Sequence, residues 1–199
     1  MKLILATWNK QKQNELKKGL NQLPIIIEGL SSSIPDIDEV GQSFQDNAKL
    51  KVNVIRNKFP KDIILGEDSG LAVDYLNGFP GVKTARFISG TDAKRALYLM
   101  EKLKDQPVSM RQCAFHSIIY LHFPDQTHAF AAGRMQGWIN RNPSHSIEGY
   151  QSVFQLANGQ FLNQLAPVAY FAFSHRQQAL RQAYLLIKEW LEKAGDCYE

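Results

Sequence analysis

Apolar residues recur along this chain in two rhythms, short unbroken runs and runs spaced three or four apart, which predict strands and helices respectively. Residues 2–6 read as a short buried strand and residues 9–20 as a helix with Leu16 and Leu20 on one face, joined by a turn holding Thr7, Trp8 and Asn9. Residues 24–27 predict a second strand, after which a loop through Ser31, Ser32, Ser33, Pro35 and Asp36 leads to Glu39. Residues 44–58 suit a helix with Phe44, Ala48, Val52 and Ile55 on one side. Residues 63–65 and 71–73 are two apolar runs, and the polar insert Gly66-Glu67-Asp68-Ser69-Gly70 between them reads as a loop at a strand end.

A second phase follows the turn cluster Asn77-Gly78-Phe79-Pro80-Gly81, with a helix predicted over 92–103. Residues 112–123 and 127–139, rich in aromatic and β-branched side chains around Pro124 and Asp125, predict a hairpin. Within it Gly133 and Gly137 predict a bend or bulge. Ser174 stands where an N-cap belongs, ahead of a helix that carries Ala179, Leu180, Ala183, Leu186, Ile187 and Trp190 and ends near Gly195. No repeat period or low-complexity linker divides the chain, so residues 1–199 are expected to form one α/β domain with a mixed sheet and a hairpin-rich lobe.

Composition narrows the class. With 23 basic and 19 acidic residues the net charge is +4, and 44% hydrophobic with 21% charged positions excludes disordered, collagen-like and supercharged chains. Lys2, Lys10, Lys12, Lys17 and Lys18 alternate with polar residues instead of forming a stripe, so no stable nucleic-acid partner is expected, while a phosphorylated small molecule satisfies the same charge. Cys113 and Cys197 are far apart and neither belongs to a Cys-x-x-Cys pair, which leaves a disulfide framework or zinc site without support and makes a reducing cytoplasm the expected location. Residues 3–6 are too few for a signal-peptide core of about 7 to 15. Residues 165–173 are interrupted by Pro167 and fall short of the roughly 20 needed for a membrane span, so no membrane partner is expected.

Three segments could carry chemistry. Thr7-Trp8-Asn9-Lys10-Gln11-Lys12 sits at a strand-to-helix junction, where unpaired N–H groups and the helix dipole attract anions; it lacks the glycines of a P-loop, and an ordinary cap with wet lysines also accounts for it. Glu67-Asp68-Ser69-Gly70 offers adjacent carboxylates and a hydroxyl where α/β proteins place ligands; carboxylates there can hold Mg²⁺, and a solvated turn is the alternative. Ser174-His175-Arg176 could read a base carbonyl or a phosphate through imidazole and guanidinium, or simply start a helix. Neighbouring Ser and His on a helix do not face each other and no Gly-x-Ser-x-Gly elbow occurs, so a hydrolase triad is excluded. His116, His122 and His128 lack ligand-like grouping.

Five blocks stand in a fixed order: Thr7-x-Asn9-x-x-Lys12; Glu39 with Phe44, Asn47, Ala48 and Lys51; Glu67-Asp68-Ser69-Gly70-Leu71 with Gly78-x-Pro80-Gly81 and Ala85-Arg86-Phe87; Gly133-x-x-x-Gly137-x-Ile139; and Ser174-His175-Arg176-x-x-Ala179-Leu180. Nearly end to end, the chain thereby resembles the non-canonical purine nucleoside triphosphate pyrophosphatases, also called inosine triphosphate pyrophosphatases. The resemblance implies an elongated, two-lobed α/β fold with a mixed twisted sheet and a central cleft for the nucleotide, usually in a homodimer. It implies Mg²⁺-dependent hydrolysis of ITP, dITP and XTP between the α and β phosphates, giving monophosphate and pyrophosphate and cleansing the nucleotide pool. Glu39 and Asp68 would serve the metal, Asp68 also as the base that prepares water. Thr7, Asn9, Lys12, Lys51 and Ser69 would hold the triphosphate, with Gly70, Arg86, Gly149, Tyr150 and Ser174 among the substrate contacts and His175 and Arg176 at the base.

The departures from the family pattern are concentrated. Where the family has Phe-Gly-Tyr-Asp-Pro this chain has Glu148-Gly149-Tyr150-Gln151-Ser152, and Tyr170 replaces a lysine four residues before Ser-His-Arg. A stacking aromatic becomes an acid, a carboxylate becomes an amide and a cation becomes a phenol. The phosphate half reads as intact and the base half as altered, which leaves open a diverged member with another base specificity, or a nucleotide-binding protein with weak or no catalysis.

Overall fold

The computed structural model describes residues 1–31 and 33–196; Ser32 and Cys197 lie outside the described residues. Two compact units are built from interleaved segments, residues 1–69, 117–133 and 176 onward in the first, residues 70–116 and 134–175 in the second. The strands are β1 (Lys2–Leu5), β2 (Ile26–Gly29), β3 (Ile63–Val73), β4 (Gln112–His122), β5 (His128–Ile139) and β6 (Phe154–Gln155), hydrogen-bonded in the order β2-β1-β3-β4-β5-β6. The helices are α1 (Lys10–Leu20), α2 (Phe44–Ile55), α3 (Asp92–Lys102), α4 (Pro167–Phe173) and α5 (His175–Asp196). This is the mixed α/β class that the pattern predicts. Among the described residues no helix is long and apolar enough to cross a membrane.

In the first unit β1 pairs in parallel with β2 and β3, with Leu5 opposite Gly29 and Leu65. Successive side chains of a strand point to opposite faces, and both faces of residues 3–5 and 63–65 are covered, which is why those stretches read as unbroken apolar runs, whereas β2 is partly exposed. Leu3, Leu5, Ile63, Leu65, Ile119 and Leu121 pack with Leu16 and Leu20 of α1 and Ala179, Leu180 and Ala183 of α5. The intervening Ile4, Ile64 and Tyr120 face the other way, against Ala48, Val52 and Ile55 of α2. Helix α2 begins at a reciprocal capping box, Ser43 Oγ accepting from the Asp46 amide and Asp46 Oδ2 from the Ser43 amide.

The structure departs from the sequence expectation in the continuity of β3. The polar insert at 66–70 is no loop: β3 runs unbroken through it for 11 residues. Burial of a polar stretch in a ladder is tolerable because its carboxylates meet cations on both faces, as described below. Gly66 serves close approach, since a Cβ there would collide with the Ala48 carbonyl oxygen and lie 2.9 Å from Val52 Cγ2. Gly137 likewise makes room, since a Cβ there would collide with the Phe154 ring.

The second unit packs Leu71 and Val73 of β3, Leu99 of α3, Met135 and Ile139 of β5 and Phe154 of β6 into one core. Arg111, fully buried, donates to the main-chain carbonyls of Gln106 at 2.9 Å and Lys104 at 3.2 Å, closing the turn after α3. Boundaries differ locally from those expected. Helix 44–58 ends at Ile55 and tightens into a 3-10 turn at Arg56–Lys58, the strand expected at 24–27 lies at Ile26–Gly29, and residues 167–173 form α4. Ser174, extended at φ −58° and ψ 153°, separates α4 from α5.

Because α2 touches the sheet through Gly66, Gly66→Ala is expected to destabilise the protein by about 1–3 kcal/mol, the usual cost of overpacking. Urea denaturation measures this, and an unchanged midpoint would show that the helix can retreat freely.

Candidate functional site

Glu67 and Asp68 are consecutive in one strand and therefore point to opposite faces of the sheet. Asp68 shares the face of Ile64 and meets α2. Asn47 Nδ2 donates to its Oδ2 at 3.0 Å, and Lys51 Nζ lies 3.3 Å from its Oδ1. Lys51 is itself 3% exposed, and its ammonium also reaches the Glu67 carbonyl oxygen at 2.9 Å and Glu39 Oε1 at 2.6 Å. Its three N–H donors are thus matched by three oxygens. Asn47, one helical turn before Lys51 on the same face, accepts from the Gly41 amide at 2.8 Å and so ties the loop carrying Glu39 to Asp68.

Glu67 shares the face of Leu65 and meets α1 and α5. Its carboxylate has no exposed surface; Lys12 Nζ stands 2.9 Å from Oε2, while Ser117 Oγ at 2.8 Å and Arg176 Nε at 3.2 Å donate to Oε1. Arg176 also pairs with Glu15 and donates from Nη2 to Ser69 Oγ at 3.0 Å. Thr7 lies at the end of β1 beside these groups: the Ala6 amide bonds the Leu65 carbonyl at 2.7 Å, and Gln13 Nε2 donates to the Thr7 carbonyl at 2.7 Å. Asn9 caps α1 by accepting from the Lys12 amide at 3.1 Å, which delivers Lys12 toward β3.

The two acids respond oppositely to burial. For Glu67 the desolvation that would raise its pKa is overturned by the charges of Lys12 and Arg176, which hold it well below the ordinary carboxylate range. Asp68 is raised above that range: burial dominates, Lys51 and Lys12 oppose it only in part, and Glu39 adds repulsion. Burial lowers Lys51, but the carboxylates of Asp68 and Glu39 outweigh it and keep the ammonium protonated. The interlocked side chains are three cations, Lys12, Lys51 and Arg176, against four carboxylates, Glu15, Glu39, Glu67 and Asp68. One negative charge is left over within this set.

Among the described residues no group of three or more His, Cys, Asp or Glu converges. A magnesium ion asks for less, binding through one or two carboxylates and keeping its waters. Glu39 and Asp68, both within 3.3 Å of the Lys51 nitrogen, supply hard oxygens in the part of the cluster with surplus negative charge, and the residues present fit that ion.

The Ham1 family pattern matches residues 3–185. The chain belongs to the Ham1 family. It is 43% identical over 190 residues to a Halalkalibacterium halodurans protein named non-canonical purine NTP pyrophosphatase homolog, covering 96% of this chain and 97% of that one. It is 31% identical to a dITP/XTP pyrophosphatase of Leuconostoc mesenteroides, covering 96% and 99%. A solved HAM1 protein from Coxiella burnetii superposes with a TM-score of 0.85 at 31% identity, over 95% of this chain and 99% of that one.

In this Ham1 member the first unit brings together Thr7, Asn9, Lys12, Glu39, Lys51, Asp68, Ser69 and Arg176. Gly70, Arg86, Glu148, Gly149, Tyr150, Gln151, Tyr170, Ser174 and His175 fall in the second unit. There Tyr150 is buried and donates its hydroxyl to the Thr84 carbonyl at 2.7 Å, and the buried His175 ring stacks on Phe115 at 5.2 Å. Glu148, Gln151 and Arg86 are exposed, and Tyr170 is half-buried against the core of that unit. Sequence reasoning named Glu67 beside Asp68 as a carboxylate that can hold Mg²⁺, and Asn47 in the second block, without their partners, and did not name Ser117 or Glu15. The i, i+4 spacing of Asn47 and Lys51 was the available signal, whereas Ser117 and Glu15 had none.

Removing the buried charge tests the network. Glu67→Gln is expected to cost about 3 kcal/mol or more at neutral pH, since Lys12 and Arg176 lose their shared counter-charge. The folded pKa of Glu67 is depressed, so its contribution is present above the unfolded value of about 4.3 and is lost as pH falls from there toward the folded pKa. Denaturation at several pH values should therefore show the gap between wild type and variant closing on acidification; a constant gap would mean that packing, not charge, accounts for it.

Proposed function

We propose that this chain hydrolyses non-canonical purine nucleoside triphosphates, of the ITP, dITP and XTP kind, to the monophosphate and pyrophosphate. The observation that carries this reading is Asp68, a buried carboxylate of raised pKa that shares one ammonium with Glu39 and lies among triphosphate-compatible donors. The dITP/XTP pyrophosphatase name of the Leuconostoc relative supports the substrate class.

In this reading Asp68 accepts a proton from water, the resulting oxygen attacks the α-phosphorus, and the bond from that phosphorus to the bridging oxygen breaks as pyrophosphate leaves. A raised carboxylate is a better base than an ordinary one. Asn47 and Lys51 hold Asp68 and Glu39 in place, and all donors of Lys51 are spent on that task. Lys12 spends one of its three N–H on Glu67 and has two for phosphate oxygens, beside the hydroxyls of Thr7 and Ser69 and the amide of Asn9. Magnesium held by Glu39 and Asp68 would supply Lewis-acid stabilisation of charge on the phosphates. Three of the five Arg176 N–H groups go to Glu67, Glu15 and Ser69, leaving two for a 6-oxo group on the base.

The altered positions Glu148, Gln151 and Tyr170 support weaker base discrimination, because stacking of a base on an aromatic contributes roughly 1–3 kcal/mol where it is present. His175, Gly149, Tyr150, Ser174, Gly70 and Arg86 remain substrate contacts in this proposal. Magnesium dependence, a cytoplasmic setting, absence of nucleic-acid or membrane partners and a homodimer complete it by family likeness.

Asp68→Asn keeps shape but removes the base, and pyrophosphate release from ITP should fall by on the order of 10²-fold or more. Unchanged release would remove Asp68 from the mechanism, and tight binding of ITP by wild type without turnover would favour a binding protein. Across a panel of triphosphates, ITP, dITP and XTP should outpace ATP, and Glu148→Phe combined with Tyr170→Lys should widen the ratio. A pyrimidine triphosphate as best substrate would overturn the base assignment.

A further inference from the structure

At the C-terminal end of α2 the first unit holds a cavity of about 340 Å³ whose wall includes Arg56, Phe59, Asp62, His122, Phe123 and Gln126. None of these belongs to the Asp68 cluster. The volume is at the lower end of small-molecule sites, about 300–1,000 Å³, and well above what an inorganic ion fills. His122 is only 7% exposed, and neither of its ring nitrogens has a hydrogen-bond partner among the described residues. The ring nitrogens are not among the buried side-chain atoms that lack a partner, so they keep contact with solvent and can meet a ligand there. The Arg56 guanidinium at the same wall also has no ion-pair or hydrogen-bond partner among the described residues. Burial first, then the charges of Arg56 and His128, hold His122 below its ordinary pKa, with Asp125 opposing.

The remaining wall limits what fits. Phe59 is a half-buried apolar surface suited to a compact ring or chain, whereas Phe123 is 4% exposed with its ring stacked on Trp190 at 5.2 Å. Asp62 is a single carboxylate whose Oδ1 accepts the Lys2 amide at 2.8 Å, so its charge is partly engaged, yet it disfavours a highly charged polyanion. We infer that this cavity binds a small organic oxyanion, a compact apolar body bearing one carboxylate or phosphate. Its oxygens take the Arg56 fork and a His122 ring N–H, and its body lies against Phe59. The site is separate from the proposed hydrolysis and stands or falls independently of it.

The test follows the His122 ring nitrogens by NMR in the full chain during titration with benzoate, phenyl phosphate and inorganic phosphate. A saturable shift with benzoate or phenyl phosphate is expected, the stronger of the two identifying carboxylate or phosphate as the preferred group, with inorganic phosphate at least about tenfold weaker for want of a body. Arg56→Ala, at an exposed position that spares the fold, should weaken the response at least about tenfold, while Lys12→Ala should leave it intact. The inference is overturned if the His122 signals do not move with any probe, if the response survives Arg56→Ala or disappears in Lys12→Ala, or if inorganic phosphate binds as well as the organic probes.

Discussion

Two adjacent carboxylates buried inside one β-strand must each be neutralised, and because they point to opposite faces, no single cation can serve both. Much of the first unit follows from that constraint. The face of Glu67 requires α1 to bring Lys12 and α5 to bring Arg176, while the face of Asp68 requires α2 to bring Lys51. Unpaired, either carboxylate would cost several kcal/mol or would protonate. The two sides then diverge. Glu67 receives enough positive charge to stay ionised under acid conditions, whereas Asp68, sharing its lysine with Glu39, is left with a raised pKa.

That difference separates a carboxylate whose charge is fully matched from one whose charge is matched only in part. Glu67 has two cations and a hydroxyl, no contact with water, and acts as the anchor between α1, α5 and β4. Asp68 has one amide and a shared ammonium, and the residual negative charge of the cluster lies beside it. Holding a carboxylate in a site short of positive charge stores electrostatic cost in the folded protein, and proteins carry such cost where a cation or a proton is to be bound. Close approach of α2 through Gly66 is what makes the arrangement possible, since a methyl group at that position would push Asn47 and Lys51 away.

The second unit shows how divergence is distributed. Glu148 and Gln151, which depart from the family pattern, are exposed and carry little packing obligation. Tyr150 between them keeps the pattern and is buried, with its hydroxyl on the Thr84 carbonyl. Exposed positions can change chemistry at small cost to stability, whereas a buried tyrosine cannot be replaced without an orphaned carbonyl and a cavity.

Local pattern by itself determined β1, β2, β4, β5, α1, α2, α3 and α5 to within a few residues, because spacings such as Ala48, Val52 and Ile55 reflect burial of whole faces, whereas β6 and α4 were not predicted. The order of its motifs likewise pointed to the family and to Asp68, Glu39, Lys12 and Lys51. Only the tertiary structure decided that residues 66–70 continue a strand: polarity there argues for a loop until the cations from three distant helices are in place. It also decided that Lys51 spends its donors on protein oxygens, that Arg176 meets Glu67, Glu15 and Ser69, and that Gly137 yields to Phe154. Each of these depends on partners remote in sequence, and pairing energies between remote groups leave no periodicity for a linear reading to detect.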